Sequence, residues 1–308
     1  MIKYPQHMRS SKEARNAETI VDIYSKERID QIAEIGIKTL RAAKILHDEL
    51  GEDGLTQIPS PNQFGEQALK ADVEAEKVVL KLLKESGLPI RVISEEHGIT
   101  DLTEKPKLLG ILDGIDGTSR YKAGRDRLRY ATMLGLASNL NPTYKDYVFS
   151  GIMEHATNRL WIGIRGQGSF LVDPNGNRMQ IHTSPKTVFD NSVQIYATPK
   201  YNDTAKKYLT NLSANFQTQE VLSAAISYVD IASGQADLEV EVTRKRNLEQ
   251  MIAYGLITEA GGVMVDENGK SIGNQRYLRW GQEESRLLVT AATPTLAHNF
   301  LNTYFLPF

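Results

Sequence analysis

The run Leu108-Leu109-Gly110-Ile111-Leu112-Asp113-Gly114-Ile115-Asp116-Gly117-Thr118-Ser119 constrains this chain more than any other stretch. Residues 108–112 are apolar and have the length and bounds of an interior strand. The strand is expected to end at Asp113, turn on glycine and present Asp116 before a helix opens. Two carboxylates three residues apart at the end of a buried strand are too costly to serve packing. They can share a divalent cation. Gly117 and Thr118 then place free backbone N–H groups at a helix start, where a phosphate group binds well. A cation and a phosphate side by side imply metal-assisted phosphoester chemistry.

The remaining bulk properties narrow the field. A chain of 308 residues can bury a large core, in one large domain or in two lobes. Its formal net charge of −2 leaves no electrostatic footprint for nucleic acid or an anionic membrane, so neither is expected as a partner. The absence of cysteine excludes disulfides and thiolate metal sites, so oxygen or imidazole must hold any metal. Met1-Ile2-Lys3-Tyr4-Pro5-Gln6 lacks the apolar core of a signal peptide, and a cytoplasmic location is the expectation. No apolar run reaches the roughly 18 residues that a membrane span needs.

Along the chain, residues 1–26 read as a polar arm without pattern. Apolar positions Ile29, Ile32, Ile35, Ile37, Leu40, Ala43 and Leu46 predict a helix from Lys26 to Leu50, ended by Gly51. A Gly/Pro/Gln-rich loop over 51–66 and a second amphipathic helix over 67–86 follow. Strands are predicted at 90–94, 130–136, 147–155, 159–164 and 168–172, with Asp173-Pro174-Asn175-Gly176-Asn177 as a hairpin turn. Gly163, Gly166 and Gly168 fall between two strands with no helix after them, so they are hairpin glycines rather than a nucleotide loop. Beyond about residue 185 the rhythm changes to strand–helix alternation, with strands at 193–197, 236–242 and 287–292 and helices at 204–212, 223–234 and 248–261. The expected organisation is an arm (1–26), an α+β lobe carrying the metal and phosphate site (27–185), and an α/β lobe that completes it (186–308).

Several acidic positions stand out. Asp113 and Asp116 have the strongest local case. Taken singly, Asp72 on a helix, Glu95 and Glu96 in a loop, and Glu249 in a first helical turn all have ordinary surface explanations. Together, carboxylates at strand ends and helix starts make an oxygen-rich site suited to Mg²⁺.

Val92-Ile93-Ser94-Glu95-Glu96, Asp113-Gly114-Ile115-Asp116-Gly117-Thr118 and Glu259-Ala260-Gly261-Gly262 resemble, in order and spacing, the signatures of the inositol monophosphatase/fructose-1,6-bisphosphatase superfamily. Asp72, in Gly65-Glu66-Gln67-Ala68-Leu69-Lys70-Ala71-Asp72, sits where that family places a helical Asp. The segments from Ser150-Gly151-Ile152 to Leu171 and from Ser223-Ala224-Ala225 to Asp237 resemble its mid-chain hairpin and its late helix–strand. The resemblance runs from about residue 27 to the end. It implies a layered αβαβα sandwich of the sugar-phosphatase type, mixing α+β and α/β parts, and a homodimer or homotetramer.

The resemblance also implies roles. Glu95, Asp113 and the Ile115 carbonyl would hold one Mg²⁺; Asp113, Asp116 and Glu249 a second, with two or three ions in all. Asp72 and Thr118 would position and deprotonate the attacking water, with Glu95 assisting, and the amides of Gly117 and Thr118 would bind phosphoryl oxygens. Three positions depart from the family pattern: Gly114 where Pro is usual, Leu248-Glu249 where Trp-Asp is common, and Ser119-Arg120-Tyr121 after the phosphate loop. Read on their own charge, the basic segment from Arg120 through Arg125 to Arg129 and Lys245 in Thr243-Arg244-Lys245-Arg246 are either solvated surface or subunit contacts, or they recognise a second phosphate, with Ser119 beside them. The expected substrate is therefore a small phosphate ester, favouring a bisphosphate such as fructose 1,6-bisphosphate or 3′-phosphoadenosine 5′-phosphate. The alternatives are an inositol-1-phosphate-type monophosphatase and a catalytically degenerate or RNA-associated protein of the same fold.

Overall fold

The structure is a computed structural model and describes residues 25–59, 62, 65, 67–199, 203–243, 248–282 and 284–304. The arm over 1–24 and the basic residues Arg244, Lys245 and Arg246 lie outside the described residues.

Two helices begin the fold, α1 (Lys26–Leu50) and α2 (Lys70–Glu85). The Ser25 side chain caps α1 by accepting from the Arg28 N–H, and Gly51 ends it at a positive φ of 54°. Strands β1 (Ile90–Ser94), β2 (Gly98–Asp101) and β3 (Leu108–Asp116) follow, then a short helix α3 (Thr118–Gly124). The chain continues as a meander: β4 (Ala131–Ala137), β5 (Tyr147–Glu154), β6 (Arg159–Ile164), β7 (Gly168–Val172) and β8 (Arg178–Ile181). These strands form one eight-stranded sheet in the order β2-β1-β3-β4-β5-β6-β7-β8, antiparallel except where β1 runs parallel to β3.

The rest of the chain is β9 (Ile195–Ala197), α4 (Asp203–Asn215), β10 (Thr218–Gln219), α5 (Ala224–Ala232), β11 (Leu238–Val242), α6 (Glu249–Glu259), β12 (Val263–Asp266), β13 (Leu287–Ala291) and α7 (Pro294–Tyr304). Its strands form a second, five-stranded sheet in the order β10-β9-β11-β13-β12.

Helices α1 and α2 cover one face of the large sheet, α5 and α6 lie between the two sheets, and α4 and α7 cover the outer face of the second. The expected αβαβα layering is therefore observed. Burial on both faces explains why β3, β4 and β5 read as nearly continuous apolar runs instead of alternating. It also explains why every residue of α5 is buried while α1 buries only one stripe.

Boundaries moved where tertiary contacts override local pattern. The second helix starts at Lys70, later than expected, which places Asp72 in its first turn. Strand β3 does not end at Asp113 but runs on to Asp116 through a bulge. Strands β2, β8, β10 and β12 were not anticipated; all are two to four residues long, too short for a periodicity to register.

Just before β4, Arg129 points inward. Its guanidinium donates to both carboxylate oxygens of Glu154 (2.7 and 3.2 Å) and to Asp230 on α5 (2.8 and 3.0 Å). The Tyr196 hydroxyl and the Trp161 indole N–H complete the cluster, at 2.8 Å to Asp230 and 3.3 Å to Glu154. Arg129 thus clamps α5 to the large sheet, and its charge is used by two carboxylates instead of being offered to a second phosphate. Replacing it leaves two buried carboxylates without a counter-charge, so Arg129→Met is expected to destabilise the fold by about 3 kcal/mol or more. Urea denaturation of the variant beside the parent protein measures this.

Candidate active site

Five acidic side chains converge from the first three layers. Asp113 and Asp116 come from β3, Glu95 from the turn after β1, Glu249 from the first position of α6, and Asp72 from the first turn of α2. Asp113, Asp116 and Glu249 each offer a carboxylate oxygen, and these atoms lie within 4.8 Å of one another. Burial pushes the Asp113 carboxyl well above the carboxylate range, and the charges of Glu95, Asp116, Glu249 and Asp72 add to the shift. Glu95 is pushed up to about 9, by burial first and then by Glu249 and Asp72. The five carboxylates expected to act together are therefore brought together.

Asp116 and Asp72 are each held by hydrogen-bond donors. One oxygen of Asp116 accepts from the backbone N–H of Ala225, at the start of α5, at 2.8 Å, and from the Ser223 hydroxyl. Asp72 accepts from the Leu69 N–H at 3.3 Å and so caps its own helix, while burial and the nearby Glu96 and Glu76 raise its pKa well above normal. Beneath the turn that carries Glu95, the fully buried Glu76 accepts from the backbone N–H groups of Glu96 (3.1 Å) and His97 (3.1 Å) and sits 2.7 Å from the His97 ring. Glu76 was not anticipated. Its only sequence signal is its place four residues after Asp72, on the same helix face.

Gly114 explains the departure from proline. A Cβ at this position would lie 2.5 Å from the Asp72 carbonyl oxygen and 3.1 Å from the Glu76 side chain, so α2 is seated directly on the bulge. The absence of a side chain admits the helix that carries Asp72. Gly117 has φ of 90°, and a Cβ there would sit 2.9 Å from that of Ser223. The Thr118 hydroxyl donates to the Ile115 carbonyl at 3.1 Å.

Beside Asp116 and Gly117 opens a cavity of about 250 Å³, lined also by Val221, Leu222, Ser223, Glu239 and Glu241. Glu239 was missed, because alternating acidic and apolar residues along 237–242 resemble a solvated strand face. It is in fact buried, with neither carboxylate oxygen hydrogen-bonded, and the neighbouring Ser227 donates elsewhere, to Ala224 at 3.0 Å. Of the expected second-phosphate residues, Ser119 is exposed and Arg120 half-buried on α3. Arg125 lies 3.4 Å from Asp126 and close to the end of α1, while Lys245 lies outside the described residues. Among the described residues, no basic side chain lines the cavity.

The arrangement is suited to divalent cations. Its donors are all oxygen, and Asp113 Oδ1 is buried without a hydrogen-bond partner. An acid with a raised folded pKa binds more protons folded than unfolded between the two values. For Glu95 that window runs from the unfolded value of 4.5 to about 9, so its burial weighs increasingly against folding as the pH rises through it. The metal-free protein is expected to lose thermal stability across this range, and Glu95→Gln to flatten the loss; scanning calorimetry in chelator from roughly pH 5 to pH 9 tests this.

Comparison with known proteins gives a consistent result. The model of the inositol monophosphatase family matches residues 27–303. A fructose-1,6-bisphosphatase/inositol-1-monophosphatase of Methanothermobacter thermautotrophicus is 27% identical over 235 residues, covering 72% of this chain and 79% of that one. An inositol monophosphatase of Mesembryanthemum crystallinum is 28% identical over 211 residues, covering 65% and 73%. In fold, the crystal structure of extragenic suppressor protein suhB from Bartonella henselae superimposes with a TM-score of 0.70 at 17% identity, covering 90% of this chain and 99% of that one.

Proposed function

Because the chain belongs to the inositol monophosphatase family and is a phosphatase, we propose that it hydrolyses the monophosphate ester of a small polyol or sugar with the help of Mg²⁺. The observation that carries this reading is the group of Asp113, Asp116 and Glu249 within 4.8 Å, with Asp113 Oδ1 buried and unpartnered. Glu95, Asp113, Asp116, Glu249 and the Ile115 carbonyl would hold two or three ions. Such ions supply Lewis acidity and lower the pKa of water.

The chain's own groups do the rest. Asp72, whose burial raises its proton affinity, would take the proton of the attacking water, with the Thr118 hydroxyl orienting that water. The amides of Gly117 and Thr118 would meet the phosphoryl oxygens. The cavity beside Asp116 would receive the leaving alcohol.

The choice between mono- and bisphosphate turns on charge. Arg129 is engaged by Glu154 and Asp230, Arg125 lies beside Asp126, and the described cavity wall carries Glu239 and Glu241. These carboxylates suit hydroxyl donors better than a second phosphate, which favours the inositol-1-phosphate type over the bisphosphate expected from the basic segment.

Phosphate release is the direct test, with inositol 1-phosphate, fructose 1,6-bisphosphate and 3′-phosphoadenosine 5′-phosphate as substrates. Release is expected with Mg²⁺, to vanish in excess chelator, and to be fastest with inositol 1-phosphate. Chelator-resistant release would remove the metal reading, and faster release from either bisphosphate would restore the second-phosphate reading. Asp113→Asn is expected to lose nearly all turnover while remaining folded by circular dichroism, more than the about tenfold to hundredfold typical of losing an outer-shell partner.

A further inference from the structure

The bulge in β3 is what sets Asp113 and Asp116 at their separation. In the ladder with β4, Asp113 pairs with Met133 and Asp116 with Ala131. Two residues, Gly114 and Ile115, therefore stand opposite one, Thr132. A bulge leaves backbone groups without ladder partners, and a buried carbonyl left unpaired is costly.

Here both carbonyls are satisfied by side-chain hydroxyls. Thr118 donates to the Ile115 carbonyl at 3.1 Å, and Thr132, fully buried, donates to the Gly114 carbonyl at 2.7 Å. The Thr132 oxygen also lies 2.8 Å from His155 Nε2. A hydroxyl has one proton, and the Gly114 carbonyl can only accept, so Thr132 must accept from an Nε2–H of His155. That fixes the imidazole as the Nε2–H tautomer with Nδ1 bare, in agreement with Nδ1 having no partner.

The ring is itself fixed. The His155 backbone N–H donates to the Tyr130 carbonyl at 3.1 Å, its ring stacks on Tyr130 with centroids 5.2 Å apart, and His47 lies against it at 3.9 Å. Burial, reinforced by His47, holds His155 well below the ordinary histidine pKa, so the group is neutral.

We propose that Thr132, oriented by His155, is a positioning residue for the metal site: its hydroxyl pins the Gly114 carbonyl and thereby sets the spacing of the Asp113 and Asp116 carboxylates. Neither residue touches the substrate or the reacting atoms. A role of this kind acts on cation affinity, as partners behind metal ligands generally do.

The proposal rests on the metal reading of the carboxylate cluster, and the experiment separates the two. Mg²⁺ binding to the full-length protein is measured by titration calorimetry for the parent, Thr132→Val, Thr132→Ser and His155→Phe, with folding checked by circular dichroism. Thr132→Val is expected to weaken Mg²⁺ binding about tenfold to hundredfold, and Thr132→Ser, which keeps the hydroxyl, to restore most of it. Unchanged affinity in Thr132→Val overturns the proposal, as does equal weakening in valine and serine variants, which would make the effect one of packing. If Thr132→Val fails to fold, His155→Phe carries the test: weakened binding supports the proposal and parental affinity overturns it. Absence of Mg²⁺ binding by the parent protein would overturn the metal reading itself, and the proposal with it.

Discussion

Like charges do not gather in a protein interior unless something compels them, and this fold is arranged around such a gathering. Glu95, Asp116, Glu249 and Asp72 each add to the raised proton affinity of Asp113, and Glu249 and Asp72 to that of Glu95. Raised proton affinity at Asp72, Glu95 and Asp113, and hydrogen-bond donors to Asp72 and Asp116, relieve the repulsion at a cost that the remaining layers must offset. The extensive apolar burial around it, with strands covered on both faces and a helix buried on every side, is the counterweight.

The same constraint explains details that look incidental one at a time. Glu76 uses its charge on two backbone N–H groups and a histidine beneath the Glu95 turn, so one more acid can be buried near the cluster. Gly114 lacks a side chain because a helix carbonyl occupies the space it would need. Arg129 supplies the positive charge for a second buried acidic pair, Glu154 and Asp230, and in doing so fixes the helix whose first amides hold Asp116. The layers are joined through polar contacts at the site as much as through the apolar surfaces between them.

Much of this was legible in the sequence. The first helix, the central strands and the acidic positions could be read because long apolar runs and helical spacing leave a periodic trace. The layered fold followed from the family resemblance. What escaped notice was short or conditional on neighbours. The two- to four-residue strands β2, β8, β10 and β12 have no period to detect. The bulge at Gly114 and Ile115 resembled a turn, since a glycine after an aspartate signals both. Glu239 alternates with apolar residues as an exposed strand residue would, and only the helices packed over β11 bury it. Arg129 was read with its basic neighbours as one surface, although the chain turns at that point and sends it inward.

The shared loyalty of Asp116 has a consequence for how the chain reaches its working form. Its carboxylate belongs to the cluster supplied by the large sheet and also accepts from the first turn of α5, in the layer between the sheets. Glu249 likewise comes from α6 in that same layer. A folding intermediate with only the large sheet and its two covering helices assembled would have Asp113 and Glu95 but neither an oriented Asp116 nor Glu249. Such a species would hold the Glu95, Asp113 and Ile115 carbonyl set without the set that Asp116 and Glu249 complete. Capture of a second ion would therefore report the docking of the middle layer.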